Sequence, residues 1–284
     1  MNRHRMIKTI DGISDLPTLP TVAMAVNSLL QDVDTPIEHL VDLLEKDQSI
    51  VLKMLRLVNS SFYGFKSRIT NLRHAVTLMG YSTVQNAVVT VSVIDSLKTK
   101  NALKGFDISR FWTHSICVAV MSRHLAAQTC LAVPEEAFTA GLVHDIGKVV
   151  LVNHFPEVCL SLMETAMDGN VTFYTAEKTE DTYPHNLIGS NLARRWMLPE
   201  SLKMAIRHHH GGIAQGVDGT LPGLIAISDT LVNVMNNLPG HRLIPEIMPE
   251  AVRGPVTGIL KDSASWFPDV KREMAAACDF FNKG

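Results

Sequence analysis

The 284-residue sequence contains no apolar run that approaches the ~18 residues a membrane-spanning helix needs. Its first residues, Met1-Asn2-Arg3-His4-Arg5-Met6-Ile7-Lys8, carry positive charge but lead into Thr9-Ile10-Asp11-Gly12 and not into an apolar segment. That argues against a signal peptide, and the expected compartment is cytoplasmic, with no membrane association. There are four cysteines, Cys117, Cys130, Cys159 and Cys278, none in a C-x-x-C spacing, so they are expected as reduced core residues and not as zinc ligands. A net charge of −2 lacks the basic excess of a nucleic-acid footprint, so no nucleic-acid polymer is expected as a partner. Internal repeats and low-complexity tracts are missing, and no serine or cysteine sits in a nucleophile motif.

What remains is a compact, core-forming composition, 46% apolar and 19% charged. At about 150 residues per domain the length suggests two lobes. Leu16-Pro17-Thr18-Leu19-Pro20 is an extended lead-in, because each proline restricts the residue before it. Helical periodicity then follows almost throughout. Val22, Ala25, Val26, Leu29 and Leu30 share a face. Thr35, Pro36 and Glu38 read as a capping box ahead of Leu40 to Leu44, and a further helix spans about Ser49 to Val58. Asn59-Ser60-Ser61-Phe62-Tyr63-Gly64 breaks it.

Leu72, Ala75, Val76 and Met79 resume the pattern, with Gly80 fitting a C′ position and Ser82 with Gln85 a second capping box. The β-branched run Val88 to Ile94 is read as helix because that box points into it. Asp95 to Asp107 turns polar, with Lys98, Lys100, Asn101 and Lys104, and is the candidate lobe boundary. Helices are expected over Phe111 to Ala126, Ala140 to Leu151, His185 to Trp196 (stopped by Leu198-Pro199), Leu202 to Ile206 and Leu224 to Val234. Two more, around Pro255 to Leu260 and Asp269 to Phe281, are assigned to packing.

The chemistry concentrates in Gly141-Leu142-Val143-His144-Asp145-Ile146-Gly147-Lys148-Val149-Val150. A carboxylate in such an apolar setting costs several kcal/mol unless it is paired or metal-bound. Neighbouring side chains on a helix diverge by about 100°, so His144 and Asp145 could share one ion only if the helix met it end-on or obliquely. Lys148 lies one turn beyond His144. Other imidazoles and carboxylates recur on faces that must turn inward: His114 with Val118, Met121 and Leu125, His185 with Ile188 and Leu192, and Asp229 between Ile225 and Val232. His208-His209-His210 closes a helix, where cations suit the dipole. Singly, each is an ordinary core or capping residue. Together they could converge on a polar cavity holding one or two divalent transition ions. Iron and manganese are favoured, with nickel and zinc possible. Such ions activate water and clamp a phosphoryl oxygen, with Lys148 neutralising developing charge.

The order H…HD…D resembles the HD superfamily of metal-dependent phosphohydrolases, and the chain closely resembles the HDOD family over residues 15 to 235. The motifs are Leu16-Pro17 to Pro20, Asn59-Ser60-Ser61 with Tyr63-Gly64, Ile69 to Gly80, Gly141 to Lys148, His185 with Gly189, Trp196-Met197-Leu198-Pro199, and Ala205 to His210. The resemblance implies an all-α, HD-domain-like fold, with an N-terminal helical lobe (1–100) packed on an HD-like metal-site lobe (106–235), and the tail beyond it is read as a C-terminal helical extension (236–284). The resemblance also implies a bacterial signalling protein. His114, His144, Asp145 and Asp229 match the HD ligand positions. His185, His209 and His210 match the additional ligands of HD-GYP phosphodiesterases, with His208 replacing His209 if the register slips by one. Gly211 to Gln215 lacks the GYP-type motif, which argues against cyclic di-GMP, whereas Ile146-Gly147-Lys148 fits the HD-GYP pattern.

Two functions follow. One is hydrolysis of a nucleotide or cyclic-nucleotide phosphodiester, with Asp145 and Lys148 catalytic. The other is a non-catalytic regulatory module that binds a signalling protein through the N-lobe around Asn59 to Tyr63. No fused sensor or output domain is expected, so a signal arrives through a separate partner; oligomeric state is left open.

Overall fold

The computed structural model describes residues 3–13, 16–30, 32, 35–60, 68–97, 103–211, 218–236, 238 and 250–282, and every regular element among them is helical. The chain begins with α1 (Arg3–Gly12), α2 (Thr21–Leu29), α3 (Ile37–Leu44), α4 (Gln48–Val58) and α5 (Leu72–Ser96). It continues through α6 (Ile108–Thr129), α7 (Pro134–Val143), α8 (Ile146–His154), α9 (Pro156–Asp168) and α10 (Phe173–Thr179). After these come α11 (His185–Arg195), α12 (Glu200–His208), α13 (Thr220–Met235), α14 (Glu250–Lys261) and α15 (Ser263–Asn282). Among the described residues the expected all-α class holds. Ser61 to Gly64, Lys98, Lys100, Asn101 and Gly212 to Gln215 lie outside them.

Side-chain capping explains several helix starts. Asp47 accepts the backbone N–H groups of Ser49 and Ile50 at 3.0 and 3.1 Å, and Asn71 and Asp107 cap α5 and α6 in the same way. The expected capping box at Thr35 does not form. Pro36 stands at the cap with φ −63° and ψ 144°, and the Thr35 hydroxyl turns back to donate to the Leu29 carbonyl at 2.9 Å. Gln85, expected in a second box, instead reaches Asn27 at 3.4 Å. Gly80 does adopt a positive φ of 74° and kinks α5 there. Beyond the kink, Val88 to Val93 is helical despite its branching, because it is covered on every side: Val88, Val89 and Val93 are fully buried.

One contiguous core links the beginning, middle and end of the chain. The unanticipated α1 buries Met6 and Ile10, and the Tyr183 N–H approaches the Met6 sulfur at 3.5 Å. The proline lead-in meets the end of α11, where the Trp196 indole N–H donates to the Pro17 carbonyl at 2.8 Å. Asn59 stitches the end of α4 to the start of the next segment, donating to Leu55 O and Ile69 O and accepting the Ile69 N–H, all within 2.7 Å. At the other end, α15 lies along α6 through Val270, Met274 and Ala277, with an Arg123–Glu273 ion pair at 2.5 Å. The cysteines are free, but only Cys159 is buried. Cys130 is exposed in a left-handed cap of α6, contrary to the core role expected for it.

Candidate metal centre

The segment expected as one helix from Ala140 to Leu151 is two. α7 closes at His144, Asp145 leaves helical geometry at φ −102° and ψ 9°, and α8 restarts at Ile146. The break re-aims two adjacent side chains that a continuous helix would splay apart. Both are buried, and the Lys148 N–H closes the turn on the Asp145 carbonyl at 2.9 Å. Glycines make room for this. A Cβ on Gly141 would lie 2.7 Å from the Ala119 Cα on α6, and one on Gly147 would lie 1.9 Å from the His185 carbonyl oxygen. Helices α6, α7, α8 and α11 thereby approach at backbone distance.

All seven predicted side chains meet here, in two groups. His114 from α6, His144 and Asp229 from α13 form the first. His114 Nε2 is 3.1 Å from Asp229 Oδ1, and His144 Nε2 is 3.8 Å from the same oxygen. Asp145, His185, His209 and His210 form the second. Asp145 lies between them. Its Oδ2 is 3.3 Å from His144 Nε2 and 3.9 Å from His114 Nε2, while its Oδ1 is 3.0 and 3.6 Å from Nε2 of His185 and His209. His185 and His210 bring their Nε2 atoms within 3.1 Å of each other. His208 stays outside, lining a separate cavity, so the triple histidine contributes its last two members. Lys148 pairs with Asp145 Oδ2 at 2.5 Å, three residues away.

The outer partners set the orientation. Nδ1–H of His144 donates to Gly141 O at 2.7 Å, Nδ1–H of His209 to Ile206 O at 2.8 Å, and Nδ1–H of His185 to Glu177 Oε2 at 2.8 Å. An imidazole held through Nδ1 offers Nε2 to the centre, the usual support of a metal ligand. Asn233 likewise donates to Asp229 Oδ1 at 2.7 Å. Glu177 and Tyr174, on α10, were not anticipated. The Glu177 carboxylate is fully buried and also accepts the His185 backbone N–H at 2.7 Å, while the Tyr174 ring stacks on His210 at 4.2 Å. A seven-residue helix carries too little periodicity to be found, and a single glutamate eight residues before His185 has no motif around it.

Burial opposes charge on His144, yet Asp145 and Asp229 outweigh it and lift its pKa to about 10. His185 is raised in the same way, against burial, by Glu177 and Asp145. Burial drives His209 down to about 4 and His210 well below the usual range. Asp145, despite burial, is held far below the ordinary carboxylate range by His144 and Lys148. Nε2 of His144 and of His209 are buried without a hydrogen bond of good geometry. Donor atoms that share an ion at about 2.1 Å stand about 3.0–3.4 Å apart, near the spacings seen here. The residues present therefore fit a metal ion.

A cavity of about 530 Å³ opens on His114, Asp145 and Lys148. Phe106, Phe111, Phe173 and Met163 supply an apolar wall, and Arg110 stands at its rim.

Several known proteins share this architecture. An HDOD domain protein of unknown function from Geobacter sulfurreducens superposes with a TM-score of 0.74, at 24% identity, over 96% of each chain. A candidate phosphohydrolase from Shewanella amazonensis SB2B gives 0.71 at 22% identity, over 97% of this chain and 96% of that one. A candidate signal transduction protein from Marinobacter aquaeolei VT8 gives 0.73 at 19% identity, over 99% of this chain and 62% of that one. These likenesses establish the fold. In sequence, an uncharacterized protein of Treponema pallidum (strain Nichols) is 27% identical over 201 residues, covering 70% of this chain and 38% of the relative's own length. The profile of the HDOD domain matches residues 16–211, from the proline lead-in to the last histidines, and the chain belongs to the HDOD domain family.

Proposed function

We propose that the chain is a metal-dependent phosphohydrolase acting on a nucleotide or cyclic-nucleotide phosphodiester in bacterial signalling. The observation that carries this reading is Asp145, which turns one carboxylate oxygen to each of two histidine-rich groups. His114, His144 and Asp229 would hold one divalent ion and His185, His209 and His210 the other, with Asp145 placed between the two groups; iron or manganese would be preferred over nickel or zinc. Such ions supply a water acidified to near-neutral pKa and Lewis-acid polarisation of a phosphoryl oxygen. Lys148, which lines the cavity beside Asp145, presents fixed positive charge to the phosphoryl oxygens. The cavity lies within the range that holds small organic ligands, and its phenylalanines suit a planar base. The fold neighbour from Shewanella, named as a candidate phosphohydrolase, supports the reaction class, and the Marinobacter neighbour, named as a candidate signal transduction protein, supports a signalling role.

A second reading rests on Lys148. Its ammonium already neutralises Asp145, which suits a regulatory module that binds a signalling partner and turns nothing over. Metal analysis of untagged, chelator-free protein, followed by assay on a generic aryl phosphodiester with added manganese or iron(II), separates the two. One or two equivalents of bound ion and ion-dependent hydrolysis are expected. Failure to load either ion sinks the phosphohydrolase and leaves the regulatory module.

Ion uptake should also release protons. His144, lifted to about 10, is protonated at neutral pH when no ion is bound and must give up its Nε2 proton to ligate, and His185 is shifted in the same direction. Apparent affinity should therefore rise with pH through neutrality, about tenfold per pH unit for each proton expelled. Calorimetry in two buffers of different ionisation enthalpy measures this; a buffer-independent heat contradicts it.

A further inference from the structure

Resting on the metal-centre reading, we infer that α10, which contributes none of the seven ligand-type side chains, determines whether the centre holds one ion or two. Its contacts reach only the second group. Glu177 takes both N–H groups that His185 offers on that side, the backbone N–H at 2.7 Å and Nδ1–H at 2.8 Å. One turn earlier Tyr174 lies flat on His210, with centroids 4.2 Å apart and planes 15° apart. The Lys178 ammonium stands over the Tyr174 ring, 4.3 Å from its centroid. Phe173 packs edge-on against His185 at 5.9 Å. Among the described residues α10 makes no hydrogen bond, ion pair or ring contact with His114, His144 or Asp229.

The consequence is a tautomer and a ring plane. With Glu177 accepting at Nδ1, the neutral His185 imidazole carries its lone pair on Nε2, beside Asp145 Oδ1 and His210 Nε2. Tyr174 holds the His210 ring against rotation about its side-chain bonds, so the two Nε2 atoms stay convergent. The first group has its own supports, Gly141 O for His144 and Asn233 for Asp229. Glu177 and Tyr174 are thus positioning residues for one half of the centre. Occupancy of that half decides between a single-ion site and a pair that can clamp both oxygens of a displacement.

Manganese titrations of wild-type protein and of Glu177→Gln, Tyr174→Leu and Tyr174→Phe test this, with stoichiometry read by elemental analysis and ion–ion coupling by electron paramagnetic resonance. A glutamine has one acceptor where the carboxylate has two, so one of the two N–H groups of His185 loses its partner. The wild type should take two ions. Glu177→Gln and Tyr174→Leu should keep one at unchanged affinity and bind the other about 10–100-fold more weakly, with the coupled signal lost. Tyr174→Phe preserves the stack and should behave as wild type. Two tight ions in both Glu177→Gln and Tyr174→Leu overturn the inference, as does joint loss of both ions from variants whose circular dichroism shows an intact fold. A wild type that binds none overturns the metal-centre reading itself, and this inference with it.

Discussion

Asp145→Ala is expected to abolish metal binding in both groups and with it all ion-dependent hydrolysis. Among the described residues no other carboxylate pairs with imidazoles of both sets, so its removal is not a graded loss of one ligand among several. The same substitution strips His144, His185 and Lys148 of their common counter-charge inside a buried site. Breaking a buried pair from one side costs about 3–5 kcal/mol, so the metal-free variant should also be markedly less stable than the metal-free parent. Asp145 is charged at and above the unfolded carboxylate pKa of about 4, and held far below it when folded. Its contribution is therefore complete above that pH and is lost as pH falls through the folded value. Asp145→Asn keeps the shape and removes the charge, which separates a folding defect from a ligand defect. Should Asp145→Asn fold normally and still bind two ions with full turnover, the centre is wrongly assigned.

Gly147→Ala should be nearly as damaging, although it alters no ligand. A methyl there would sit 1.9 Å from the His185 carbonyl oxygen and 2.7 Å from the Gly189 nitrogen, both backbone atoms that cannot swing aside. The only relief is separation of α8 from α11, which carries His185 away from Asp145. Overpacking of this kind costs about 3 kcal/mol or more, and at about 2–4 °C per kcal/mol the melting temperature should fall by about 6–12 °C. Gly258→Ala is the matched control. It lies in α14 with nothing within 4 Å of the added carbon, and the gain in helix propensity should leave stability unchanged or raise it by up to about 1 kcal/mol. Thermal melts of the two variants side by side decide; equal melting temperatures would mean that α8 and α11 can part freely.

The seven converging side chains could be read before any coordinates because, ordinary one by one, together they set imidazoles and carboxylates on several apolar faces that must turn inward, and the family resemblance singled out His209 and His210. An aspartate between Ile225 and Val232, or a histidine beside Val118 and Met121, needs a partner across the core, and several such needs can share one answer. The break between His144 and Asp145 had no such signature. Apolar spacing runs through it unbroken from Ala140 to Leu151, and only the geometry of two crossing helices demands that the chain turn there. The Asp145–Lys148 pair, in contrast, was legible, since a buried carboxylate needs a partner and a lysine three residues on can supply it. Thr35 illustrates a local signal overruled: Pro36 can itself supply the extended residue ahead of α3, which frees the threonine for Leu29. Glu177 and Tyr174 are ordinary residues on a short helix, and their importance lies wholly in what they touch.

The stretch that identifies the family ends at residue 211, yet Asp229 comes later, on α13. Met6 and Ile10, which complete the core, come before that stretch begins, and α15 covers α6 from beyond its other border. A graft of residues 16–211 onto another protein would thus transfer His185, His209 and His210 with Asp145, but leave His114 and His144 without their own carboxylate and α6 with a bared apolar flank. The family signature is a label carried by this molecule, not a cassette that can be lifted out of it.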